Sequence, residues 1–361
     1  MVFLDVHDPS RQQTAKDGLQ FCLIMRTFEK APADVQELLS RPIRDLGLKL
    51  EGSSVERFVH QFYRELEAKG LHKFRPSVYL SDEWGCPDEE PVIGIPFYLA
   101  DPKLEKLERE MNDLEDARQI MMYLRHEGGH AFNYAYELYK TDEWHELFGS
   151  FRKAYRDKYK PVPFSRKFVR HMEGWYAQKH PDEDFAETFA VWLTPRSNWR
   201  KRYKGWGAMK KLRYMDRIGR KFSDIEPIRP QGSSDLTVEE MEDTVGQFYE
   251  RNAAEPREVD DLLLDTDLKD IFDVSSRKRK GVRPAADLLR ENRKAMTDQL
   301  AYWTGVRRPL IKLLVESIEE RLGSLGLLSE TKCEKEYLTE LTVFCTTLAM
   351  NYLTRGKFDQ K

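Results

Sequence analysis

Cysteine is scarce and unpaired in its spacing. Cys22, Cys86, Cys333 and Cys345 are the 4 cysteines in 361 residues, and no C-x-x-C occurs. That scatter argues against a disulfide framework and a cysteine-ligated zinc fold, and it suits reduced thiols in a cytoplasmic protein. Long apolar runs are missing too. None approaches the ~18 residues of a membrane span. The opening Met1-Val2-Phe3-Leu4-Asp5 brings in an acid early and has no sustained apolar core, so it does not read as a signal peptide. Net charge is nearly absent, at -3 although 34% of residues are charged. This excludes a globally basic nucleic-acid binder and describes a soluble chain with a densely charged surface. Repeats and low-complexity tracts are likewise lacking. The length suffices for two or three domains.

The stretch that is there is His126-Glu127-Gly128-Gly129-His130, an instance of H-E-x-x-H. On a helix, residues four apart share a face, so both imidazoles can point at one ion. Glu127 then leans over the open side, where a zinc-activated water would lose its proton. The motif also arises by chance, so its context matters. Ala117, Ile120, Met121 and Leu124 before it, and Phe132 and Ala135 after it, keep helical spacing. The two glycines each cost about 1 kcal/mol in a helix interior. Close packing of another backbone on that face is the expected compensation.

The first 35 residues, with an apolar run from Gly18 to Met25, read as an arm packed on the main domain. The alternation from Arg44 to Leu50 suggests a strand. Val55, Phe58, Val59, Phe62, Tyr63 and Leu66 form the stripe of a helix capped at Ser53-Ser54 and ending near Gly70. Strands follow over Pro76–Leu80 and Val92–Leu99. Pro96 puts the second at a sheet edge. Such an edge could hold an extended peptide by strand addition.

A second helix starts at Pro181, with acidic residues behind it. Glu183 and Glu187 are four apart and share a face, so either could reach an ion. Acids at a helix start also simply favour its dipole, which accounts for Asp182 and Asp184 but not for Glu187. His145, His171 and His180 read as surface or helix-end residues, with His180 the closest competitor as a ligand. Tyr136 and Asn133 stand where a metzincin needs His and Gly.

H-E-x-x-H with a downstream glutamate on a second helix resembles the gluzincin pattern. Glu183-Asp184-Phe185-Ala186-Glu187-Thr188-Phe189 resembles the glutamate helix of the anthrax lethal factor family of catalytic domains. Nearly the whole chain is similar to a bacterial family of zinc-binding metallopeptidases. These resemblances imply one zinc per chain, held by His126, His130 and Glu183. They make Glu127 the general base, Tyr176 the partner of the developing oxyanion, and Glu187 an outer residue that orients a ligand histidine. The expected fold is α+β. A zincin-like catalytic domain with a small mixed sheet and the H-E-x-x-H helix spans 36–230, and a C-terminal helical domain spans 231–361.

Helices are expected over Pro284–Trp303, Pro309–Leu322 and Ser329–Leu353. The basic, aromatic stretch 196–221 reads first as a solvated face. As a positive rim it would attract acidic peptides or, as the weaker reading, nucleic acid. The sequence thus describes a zinc metallopeptidase acting on peptides or proteins, with no membrane partner. A metal-bearing binding module with little turnover and a nucleic-acid-associated protease are the alternatives.

Overall fold

The structure is a computed structural model that describes residues 32–111, 114–155, 159–252, 264–272, 281–356 and 358. The arm residues before 32, including Gly18 to Met25, lie outside the described residues. Among the described residues the chain is mostly helical with two small sheets, an α+β composition. In chain order the elements are α1 (Ala33–Ser40), α2 (Glu56–Ala68), β1 (Ser77–Ser81), β2 (Val92–Pro96), α3 (Pro102–Met111) and α4 (Ala117–Ala135). Then come α5 (Asp142–Phe148), α6 (Pro181–Leu193), α7 (Trp199–Arg202), α8 (Ala208–Lys221), α9 (Val245–Asn252) and α10 (Asp265–Ile271). The last are β3 (Val282–Pro284), α11 (Ala285–Thr304), α12 (Arg308–Leu325), β4 (Leu328–Glu330) and α13 (Glu334–Arg355). Two compact units emerge: Met1–Leu138 with Gly219–Glu255, and Tyr139–Ile218 with Pro256–Lys361.

In the first unit, α2 buries Phe58, Val59, Phe62 and Leu66 along the stripe its sequence announces. Phe62 lies against α4 at Gly128. A Cβ added there would come 2.4 Å from Phe62 Cζ, so glycine is needed for a side chain's approach, where the sequence suggested another backbone. One turn away, Arg125 donates twice to the buried Glu65 carboxylate, at 2.7 and 2.8 Å, and clamps α4 to α2.

β1 pairs with β2 in parallel, Tyr79 opposite Gly94. The strand expected over 44–50 is instead a 3-10 turn, Ile43–Leu46, closed by Gly47 at φ +65. Its alternation is too short to hold without a neighbouring strand. β2 also stops at Pro96, where the chain coils into a 3-10 turn, Phe97–Ala100. Its free edge is closed. The Gly94 N–H donates to Gly85 O at 2.7 Å, and the Gly85 N–H donates back at 3.4 Å. The Val92 N–H goes to Glu90 O, and Pro96 has none to offer. A peptide therefore cannot add to β2 as a continuous strand, contrary to the expectation from sequence.

In the second unit, α6 is buried along its whole length. Phe185 packs on Phe148, with ring centroids 5.3 Å apart, and Trp144 and Tyr214 continue the aromatic cluster. α11, α12 and α13 form a separate apolar core around Leu289, Leu300, Ile311, Leu314, Ile318 and Leu341. These are the three C-terminal helices expected. The last begins at Glu334 and not at Ser329, because Leu328–Glu330 pairs antiparallel with Val282–Pro284.

A candidate metal centre

α4 begins with a reciprocal cap. Asp116 accepts from the Gln119 N–H, and the Gln119 side chain accepts from the Asp116 N–H. The helix then runs unbroken through the H-E-G-G-H stretch, every residue of which is buried. His126 Nε2 and His130 Nε2 lie 3.2 Å apart. Two nitrogens bound to one tetrahedral zinc at ~2.0–2.1 Å would be separated by about 3.3 Å, so the pair already has the right spacing. The carboxylate of Glu183, from the first turn of α6, completes the set. Ligand atoms of His126, His130 and Glu183 all lie within 4.8 Å of one another, and all three residues are buried.

The other residues around the glutamate helix have distinct tasks. His180 caps α6: Nδ1 accepts from the Asp182 N–H at 3.2 Å, and Nε2 meets the Lys153 carbonyl at 2.7 Å. Both ring nitrogens serve the backbone, which explains a histidine beside the glutamates without making it a ligand. Asp184, next to Glu183, turns instead to a buried partner, Lys211. Burial pushes its carboxyl up to about 7 while the Lys211 ammonium pulls it down. Glu187 accepts from the backbone N–H groups of His171 and Met172 at 3.0–3.1 Å. It thereby holds the chain that leads into the Tyr176 turn. Glu127 is buried on α4 between the two histidines.

Tyr176 starts a 3-10 turn behind Trp175, whose φ is +56. Its hydroxyl lies 3.3 Å from that of Tyr155. Tyr155 in turn donates to Glu183 Oε1 at 2.5 Å. Sequence reasoning missed Tyr155. It sits in an exposed loop with no periodicity or motif to flag it, and only the folded chain brings it to the glutamate. The Lys179 ammonium lies over both rings, 4.2 and 5.1 Å from their centroids.

Part of the basic stretch after α6 is engaged within the fold. Arg200 pairs with Asp216 at 2.9 Å, Arg202 donates to Tyr302 at 2.6 Å, and Lys211 and Arg217 pair with Asp184 and Glu143. Among the described residues, Cys86, Cys333 and Cys345 form no disulfide. Among the described residues, no helix is long and apolar enough to cross a membrane.

Two buried imidazoles and a carboxylate converging on one point define a candidate mononuclear metal site of the His-His-Glu class. Residues 88–205, about a third of the chain, match the model of a family described as "Putative zinc-binding metallo-peptidase". That span contains both the H-E-G-G-H helix and the glutamate helix. No curated protein and no solved structure matches the chain.

Proposed function

We propose that the protein is a cytoplasmic zinc-dependent peptidase of the gluzincin type, with a zincin-like catalytic fold. The observation that carries this reading is the convergence of His126, His130 and Glu183 within 4.8 Å. Their donor set, two nitrogens and one carboxylate oxygen, suits zinc and leaves a fourth position open, as a catalytic site requires. When bound, zinc would polarise a peptide carbonyl and acidify water.

The rest is the work of the chain. His126 and His130 would hold the ion as neutral imidazoles. Glu183 would supply the carboxylate, oriented by the Tyr155 hydroxyl. Glu127 would take a proton from the attacking water and deliver it to the leaving amine. Tyr176 would donate to the oxygen on which charge develops. Glu187 would hold the segment behind Tyr176 and steady a ligand histidine from outside. All of these groups fall within 36–230, which we propose as the catalytic span, with 1–35 as an arm and 231–361 as an appended helical segment.

The test couples metal analysis to a cleavage profile. Purified protein should contain one zinc per chain and cleave members of a peptide library. Protein that takes up no zinc, even on reconstitution, would refute the reading. Stoichiometric zinc with no cleavage would favour a metal-bearing binding module.

A further inference from the structure

Beside β2 in the first unit lies a cavity of about 320 Å³, none of whose lining residues is a candidate metal ligand. Its walls are aromatic. The rings of Trp84 and Tyr123 stack with centroids 5.5 Å apart at 20°. Tyr98 adds a third ring, and Phe248 and Pro96 complete the apolar side. Two of the rings are pinned by one oxygen: Glu115 Oε1 accepts from the Tyr98 hydroxyl at 2.9 Å and from Trp84 Nε1 at 3.1 Å.

The charge on this cavity has one sign. Asp82, Glu83 and the buried Glu108 line it, and no lysine or arginine does. The surroundings register that field. Burial, then Glu115 and Glu108, holds the Tyr98 hydroxyl well above its usual range. Burial, then Glu108, raises Tyr249 in the same way. Fixed rings with carboxylates around them stabilise a cation and repel an anion. Tyr123 also ties the cavity to the candidate metal site. It precedes His126 by three residues on α4, so their Cβ atoms are helix-surface neighbours about 5–6 Å apart.

We propose that this cavity is a specificity subsite for a lysine or arginine side chain of the peptide substrate. The proposal rests on the peptidase reading. It points the opposite way from the acidic preference suggested by the basic stretch.

Binding and cleavage test it separately. Fluorescent decapeptides that carry arginine, lysine or norleucine at one scanned position are titrated into the zinc-loaded full-length protein. At one position, arginine and lysine should bind about tenfold tighter than norleucine, and the gap should shrink with added salt. Glu83→Gln and Asp82→Asn should each narrow the gap while leaving the norleucine peptide unaffected. Equal binding of the three peptides at every position, or a preference untouched by both substitutions, would overturn the subsite. Free arginine amide that binds as tightly as the peptide would also overturn it, by making the cavity a site for a small cation. Preferential binding without any cleavage would uphold the subsite and sink the peptidase reading. Cleavage without a basic preference would do the reverse.

Discussion

Glu127 and Glu183 are both buried acids, the first between the two histidines on α4 and the second clustered with them, yet the chemistry asks opposite things of them. A ligand must stay with the ion, and a base must be free to exchange protons. Substitution separates the two roles. His126→Ala and Glu183→Ala should each abolish tight zinc binding, read by elemental analysis after dialysis. Glu127→Gln should retain zinc and fold but lose about 10²–10⁴ in turnover, because an amide cannot accept the water's proton. Wild-type rates in that variant would remove Glu127 as the base. Glu187→Ala should weaken zinc affinity or activity by roughly 10–100-fold without abolishing either. If Glu187→Ala lost all zinc while Glu183→Ala kept it, the ligand assignment would be reversed. The argument for Tyr176, which depends on its place relative to Glu183, would go with it.

At the scale of elements, α4 is held in register by α2. Gly128 lets the fully buried Phe62 ring lie against the metal helix, and Arg125 clamps Glu65 beside it. Gly128→Ala would gain up to about 1 kcal/mol of helix propensity but incur about 1–3 kcal/mol of overpacking. Because the Phe62 ring is fully buried, a net loss of about 1–2 kcal/mol is expected, visible as a lower denaturant midpoint. Adding Phe62→Leu should recover part of that loss, so the double variant should be less destabilised than the sum of the singles. Strict additivity would show that the contact is not what demands glycine.

At the scale of the whole molecule, the C-terminal helices reach the Tyr176 turn within one compact unit. α11 ends at Gly305, φ +77, and the Trp175 indole N–H donates to Thr304 O at 3.3 Å. A Cβ on Gly305 would come 1.6 Å from Trp175 Nε1. Gly305→Ala should therefore displace Trp175 and, with it, Tyr176. Turnover should fall severalfold while zinc content stays at the wild-type level, because no ligand is touched. Unchanged kinetics in a folded variant would mean that the helical segment does not support the turn. The same helices bury Cys345, whose thiol is pushed up to about 12. At pH 8 its thiolate fraction is about one in ten thousand. Alkylation of native protein should therefore modify Cys86 and Cys333 while sparing Cys345, and labelling of Cys345 should report opening of the bundle. Peptide mapping of the alkylated sites checks this.

What the sequence determined by itself was local. Residues three and four apart meet on a helix whatever surrounds it, so the His126–His130 pair, the shared face of Glu183 and Glu187, and the stripes of α2, α11, α12 and α13 could all be read from spacing. The Pro181 start of α6 is equally short-range. Tertiary structure decided everything that joins distant segments. It put Glu183 and not Glu187 in the cluster, and gave the Glu187 oxygens to the His171 and Met172 backbone N–H groups. It put Phe62 where the glycine was needed, and it brought the unpatterned Tyr155 to a carboxylate. It closed the edge of β2 with Gly85, which no alternation of side chains could reveal, because backbone hydrogen bonds carry no residue-type signature. Periodicity encodes which side of an element is apolar; which partner covers that side is settled only when the chain has closed its loops and buried its core.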